Sequence, residues 1–202
     1  MLVDRKMLAG VDWPLVCASV VLAVIGVAMI ASATQTGRFV GVHIKQIIAI
    51  ALGLALVSAC LVVDYRRLVD RAPVFFFGAI ATLAYMLFLG PRIAGTRRWL
   101  VLGPIQFQPS EFAKLAAALL LARVFSEARR ESLGISDILG PGAAMVGLGA
   151  LIAAQPDLGT AACLGPLFLS VAFLAGLRIR TFFALAVALA LVGGLGWRYA
   201  LR

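Results

Sequence analysis

Seven stretches of this chain carry almost no charge, and their length decides what the chain can fold into. Six are uncharged throughout: Trp13–Gln35, Gln46–Val63, Ala72–Pro91, Ile138–Pro156, Leu158–Leu177 and Thr181–Trp197. The seventh, Pro109–Ala122, is apolar except for Glu111 and Lys114. A helix advances about 1.5 Å per residue, so roughly 20 apolar residues cross a bilayer core. Backbone amides find no water there, which leaves helices and closed barrels as the spanning structures. The runs predict an all-α, polytopic integral membrane helix bundle with about seven transmembrane helices. Their connections are too short to hold a soluble domain, so residues 1–202 read as a single membrane domain. Composition agrees: 63% of the residues are hydrophobic and 13% charged. A soluble domain is about half apolar and a quarter charged. Soluble globular, disordered and disulfide-scaffold classes are thereby excluded. Cys17, Cys60 and Cys163 each sit in an apolar run without metal-like spacing and are expected to be small buried hydrophobes.

The net charge of +9 would suggest nucleic acid in a soluble chain. Here the basic residues lie in short loops, where they read as topology signals and anionic-lipid contacts; no nucleic-acid partner is expected. Arg5 and Lys6 precede the first run, and Ala31-Ser32-Ala33 has the look of a cleavage site. The run is longer than the roughly 7–15 residues of a signal peptide, so it reads as a signal anchor. With the N-terminus cytoplasmic, ten basic residues fall inside, among them Arg66, Arg67, Arg71, Arg123, Arg129, Arg130, Arg178 and Arg180. Seven fall outside: Arg38, Lys45, Arg92, Arg97, Arg98, Arg198 and Arg202. Three of those seven crowd into Arg92–Arg98, and a basic cluster on the minority side reads as a site for something anionic.

That cluster opens the most unusual segment, Gly95 to Lys114. Glycines and prolines punctuate it as a folded loop, and Trp99 suits a membrane interface. Pro109 fits the first position of a helix, with Glu111 favoured by the helix dipole. Lys114 then lies about 7–8 Å into the span, on the same face as Glu111. A cation at the centre of a spanning helix costs about 2.5–3.5 kcal/mol, and less near its end. Either Glu111 neutralises Lys114, or Lys114 snorkels to the surface, or it meets an anion in a polar cavity. Gln155-Pro156-Asp157-Leu158-Gly159-Thr160 repeats the pattern of Gln-Pro, an acid and an apolar run. Counting spans puts the starts at Pro109 and Pro156 on one membrane side, together with Arg97 and Arg98. Two helix starts and two arginines suit phosphate oxygens. Asp157 could also simply cap its helix, orient an arginine or bind a metal, so a divalent cation is the one cofactor these carboxylates admit. His43 reads as interfacial. Gly142, Gly147 and Gly149 fit close helix contacts. No phosphate loop, His/Cys metal cluster or nucleophile elbow is present.

Arg98-Trp99-Leu100 with Leu102-Gly103, then Phe107-Gln108-Pro109-Ser110-Glu111-Phe112-Ala113-Lys114-Leu115, resembles the signature of the SEDS membrane glycosyltransferases. Gln155 to Ala161 and Leu174-Ala175-Gly176-Leu177-Arg178 resemble its second block, in the expected order. The form of the first block is closer to the elongation branch than to the division branch. The resemblance implies polymerisation of lipid II, the undecaprenyl-pyrophosphate disaccharide pentapeptide, into glycan strands at the bacterial cytoplasmic membrane. It implies a class B penicillin-binding transpeptidase as partner. It also implies ten spans and a general base in a loop beyond Arg202, so that no catalytic residue is assigned in this chain. Arg98, Glu111, Lys114 and Asp157 are then the substrate-binding candidates, with Arg97 beside them. Taken as it stands, the chain reads as a seven-span N-terminal part. A lipid-precursor flippase and a non-catalytic scaffold of the wall-building complex are the alternatives.

Overall fold

The computed structural model describes residues 12–35, 41–93, 95–102, 105–128 and 133–200. Arg5, Lys6, Arg38, Gly103, Pro104, Arg129, Arg130 and Arg202 lie outside them. Each of the seven runs is a helix: α1 (Trp13–Ala33), α2 (Val42–Val62), α4 (Ala72–Leu89), α5 (Pro109–Glu127), α6 (Ile135–Ala153), α7 (Leu158–Leu174) and α8 (Ile179–Ala200). A short helix, α3 (Tyr65–Asp70), occupies the basic stretch before α4. By length and composition α1, α4, α6 and the Val42–Cys60 part of α2 can each cross a membrane alone. Leu158–Leu174 and Ile179–Gly194 are apolar but shorter. Helix α5 has 19 residues but carries Glu111, Lys114, Arg123 and Glu127, so it depends on neighbours to span.

The loop before α5 is more regular than its glycines and prolines suggest. Ile93 and Thr96 exchange backbone hydrogen bonds of 2.8 and 3.1 Å around Gly95. Gly95 sits at φ +80°, a conformation that a side chain disfavours. Strands β1 (Leu100–Leu102) and β2 (Ile105–Phe107) then pair antiparallel, with Leu100 opposite Phe107. The hairpin delivers Gln108 to the start of α5.

The chain forms two compact units, residues 1–65 and 66–202. In the first, α1 lies against α2. Asp12 caps α1 by accepting the Leu15 N–H at 3.2 Å. A groove of about 540 Å³ runs between the two helices, walled by Val20, Ala23 and Val27 on one side and by Ile47, Ile50 and Gly53 on the other.

The second unit has a core. Phe76, Ala79, Leu83 and Met86 recur at three- and four-residue steps along α4. Phe76, Ala79 and Leu83 join Ala113, Ala116, Ala117 and Leu121 of α5 in one cluster. Small residues let these two backbones come close, which is how packing is gained where lipid is as apolar as the helix. Ile138, Met145, Leu148 and Ile152 of α6 and Leu164, Phe168 and Ala172 of α7 complete the cluster. Gly142 and Gly149 face α7, where an added Cβ would lie 3.6 Å from Phe168 and from Leu164. Gly147 faces open space, contrary to expectation. The three cysteines are also not in the core: all are free and exposed. In a membrane protein an outward face is as apolar as an inward one, so hydrophobic company does not predict burial.

Candidate functional site

An unpaired polar group is costly inside an apolar bundle, so the buried polar side chains mark where this unit does something other than pack. Among the described residues these are Ser110, Gln155, Asp157 and Thr160. All four belong to one end of the second unit.

Asp157 is their centre. It caps α7, its Oδ1 accepting the Thr160 N–H at 3.3 Å. Its Oδ2 accepts from Gln108 Nε2 at 2.6 Å and from Ser110 Oγ at 3.1 Å. Pro109 is the first residue of α5, as its fixed φ and missing N–H favour. Gln108 and Ser110 flank it, so a single carboxylate fastens the starts of α5 and α7 together. Burial pushes the Asp157 carboxyl up. The hydrogen bonds from Thr160, Ser110 and Gln108 outweigh that and hold it below the ordinary carboxylate range. Gln155 adds a second tie, its Nε2 donating to the Leu83 carbonyl of α4 at 2.7 Å.

Arg97 supplies a third. Its Nη1 donates to the carbonyls of Leu87 and Phe88 at 3.0 and 2.7 Å. These carbonyls belong to the last turn of α4, where acceptors lack helical partners. Arg97 thus closes a helix end. Four helix ends meet here: the last turn of α4, the start of α5, the corner after α6 and the start of α7. The two Gln-Pro starts therefore lie at one end of the unit, with the arginine pair beside them.

Lys114 stands on the face of α5 that Glu111 shares, and its Nζ is 2.9 Å from Glu111 Oε1. The lysine side chain is 27% exposed and the glutamate 56%. Glu111 therefore neutralises the cation. Arg97 and Arg98 share one feature: the Nε of each is buried and has no hydrogen-bond partner among the described residues. Both are cations with a donor left over, and Arg97 in addition bonds through Nη1. The carboxylates make a poor cation site: Asp157 accepts three donors, and Glu111 is paired with Lys114. No group of three metal-binding side chains occurs among the described residues.

Of the five sequence candidates, Asp157 and Arg97 are held in structural bonds, Glu111 and Lys114 form a pair, and Arg97 and Arg98 each retain an unmatched Nε donor. Gln108, Ser110, Gln155 and Thr160 were not singled out by their chemistry. The signal that could have found them is the repeated Gln-Pro, which sets a long amide and a short hydroxyl around each helix start.

This end of the unit belongs to a multi-pass helical membrane protein with a polar cluster at the meeting of four helix ends. The cell cycle protein family of FtsW, RodA and SpoVE matches residues 9–197, and the chain belongs to that family. It is 35% identical over 142 residues to the peptidoglycan glycosyltransferase RodA of Treponema pallidum, covering 70% of this chain and 33% of that one. It is 32% identical to MrdB of Escherichia coli, covering 73% of this chain and 40% of that one. The solved RodA of Thermus thermophilus superposes with a TM-score of 0.74 at 32% identity, over 91% of this chain and 60% of that one. A chain from a peptidoglycan synthase complex superposes at 0.79, over 96% and 56%. The chain thus spans a third to two fifths of these two curated relatives. Its spanning helices and its family place it in the bacterial cytoplasmic membrane.

Proposed function

We propose that the chain serves a RodA-like peptidoglycan glycosyltransferase, and that the joined starts of α5 and α7 hold the diphosphate of lipid II. One observation supports this above the others: Arg97 and Arg98 each keep a buried, unmatched Nε–H beside a framework in which Asp157, Gln108, Ser110 and Gln155 are bonded. An anion placed there would satisfy those donors and gain the field of Lys114. In the reaction the acceptor sugar's 4-hydroxyl attacks the anomeric carbon of the donor. The bond to the diphosphate breaks, and undecaprenyl pyrophosphate leaves with the electron pair. Negative charge grows on the leaving oxygens, and fixed cations lower the barrier where charge grows. Arg98 and Lys114 have that role, with Glu111 keeping Lys114 in place until the anion arrives. The hydroxyl proton goes to a base outside this chain's assigned residues. A class B penicillin-binding protein is the partner that would cross-link the strands.

The test supplies lipid II to the purified full chain and its transpeptidase partner in liposomes, and reads glycan length. Lys114→Ala and Arg98→Ala are each expected to lower polymerisation by about 100-fold or more while insertion and pairing persist. Near-normal product from Lys114→Ala would overturn the reading. Lipid II that crosses the bilayer without being joined would favour a flippase instead.

A further inference from the structure

The opposite end of the second unit carries a second cationic feature that the joined helix starts do not use. Arg178 closes the Leu174–Arg178 block, and Arg180 follows two residues later. Both are exposed and line a hollow of about 520 Å³ with Ile179 and Thr181. Neither has an acidic partner among the described residues. Of the described acids in the neighbouring segments, Glu127 pairs with Arg123 at 3.0 Å, and Asp137 accepts the Gly134 N–H at 2.8 Å. Leu133 donates to the Gly176 carbonyl at 3.1 Å, so the backbone before Arg178 is fixed to the start of α6.

An apolar groove of about 520 Å³ lies along the same helices. Ile138, Leu139 and Gly142 of α6, Leu164 and Phe168 of α7, and Leu185 and Leu189 of α8 are among its walls. Leu185 and Leu189 follow Arg178 by seven and eleven positions, about 10 and 16 Å along the α8 axis. That span matches one leaflet of hydrocarbon, half of a core about 30 Å thick. Gly142 faces Phe168 across the groove, where an added Cβ would lie 3.6 Å from Phe168 Cζ. The groove is open on its outer side, where Leu139 is 65% exposed and Val146 72%.

We infer that this end of the unit holds one anionic diacyl phospholipid, with its phosphate on Arg178 and Arg180 and an acyl chain in the groove between α6, α7 and α8. Two guanidinium groups with no acidic partner among the described residues select a negative headgroup, and an apolar groove that starts one to two helical turns away selects a lipid over a free anion. Arg66, Arg67, Arg71 and Arg123 lie at this end of the unit too. The basic-loop bias assigns that end to the cytoplasmic leaflet, where anionic lipid is abundant.

Native mass spectrometry of the full chain in detergent, with equal phosphatidylglycerol and phosphatidylcholine, tests this. The phosphatidylglycerol adduct is expected to dominate, and to fall at least fivefold in the Arg178→Gln/Arg180→Gln double variant. Ala143→Trp, which fills the groove without touching charge, should weaken it comparably; Val146→Trp serves if that variant does not fold. Arg92→Ala, at the other end of the unit, should leave it unchanged, and inorganic phosphate should not displace it. Retention in the arginine double variant, an equal loss in Arg92→Ala, displacement by phosphate alone, or indifference to both groove-filling variants would each overturn the assignment.

Discussion

Helix α1 is the most apolar of the four helices fit to span alone, and none of its residues is buried. Helix α5 carries four charged residues and buries seven, from Pro109 to Phe125. The contrast reverses what a soluble protein would show. In water the apolar helix goes inside; in lipid apolarity gives no preference between a neighbour and the acyl chains. What draws α5 inward is its Ala113-Ala116-Ala117 face against α4 and the polar ties at its start. Helix α1 has neither, apart from one exposed cap. Each unit is therefore organised by different forces, and substitutions should separate them.

The sharpest separation comes from two aspartates with the same local task. Asp157 and Asp12 both cap a helix, yet Asp157 is buried and accepts three hydrogen bonds while Asp12 is exposed and accepts one. Asp157→Ala leaves Gln108, Ser110 and the Thr160 N–H unmatched, at a cost of about 3 kcal/mol or more. Asp12→Ala should move the melting temperature in detergent several-fold less. Equal shifts would erase the distinction between the units.

Leu83→Ala is expected to cost about 2–3 kcal/mol, because its side chain is fully buried and a cavity remains. Leu22→Ala, at a position 69% exposed, should barely change the unfolding midpoint. If Leu22→Ala proves as costly, α1 has a covering partner in the folded protein.

The smallest expected effect is a pH dependence confined to the second unit. The Asp157 carboxyl is held below its usual value, so its contribution is complete above an unfolded-state pKa of about 3.9. It is lost as pH falls through the lower, folded-state value. Asp157→Asn should remove that acid limb from the stability profile. A limb that survives in Asp157→Asn would assign it to another carboxylate.

The helices were legible because a spanning run is a matter of length and charge, both visible one residue at a time. Pro109 and Asp157 showed where two helices start, since a proline without an N–H and a carboxylate at a cap act locally. Burial was not legible. Cys17, Cys60 and Cys163 sit among apolar neighbours in the sequence, yet face outward. Gly147 differs from Gly149 only in which side of α6 it occupies. The partners in the polar cluster were hidden for another reason: Gln108 and Asp157 are 49 positions apart, and no local pattern announces that an amide will cross to another helix. The Arg97–Arg98 pair shows the limit most plainly. Two adjacent, chemically identical side chains both keep an open Nε donor, yet Arg97 also reaches the α4 carbonyls through Nη1.

Arg97 carries a kinetic consequence for its neighbour. Because its guanidinium is latched to the end of α4, the backbone that bears Arg98 is anchored before any ligand arrives. The entropy of stilling that loop is lost once, as the chain folds, rather than at every encounter. Cutting the latch with Arg97→Ala should therefore slow the capture of an anion more than it loosens an anion already seated.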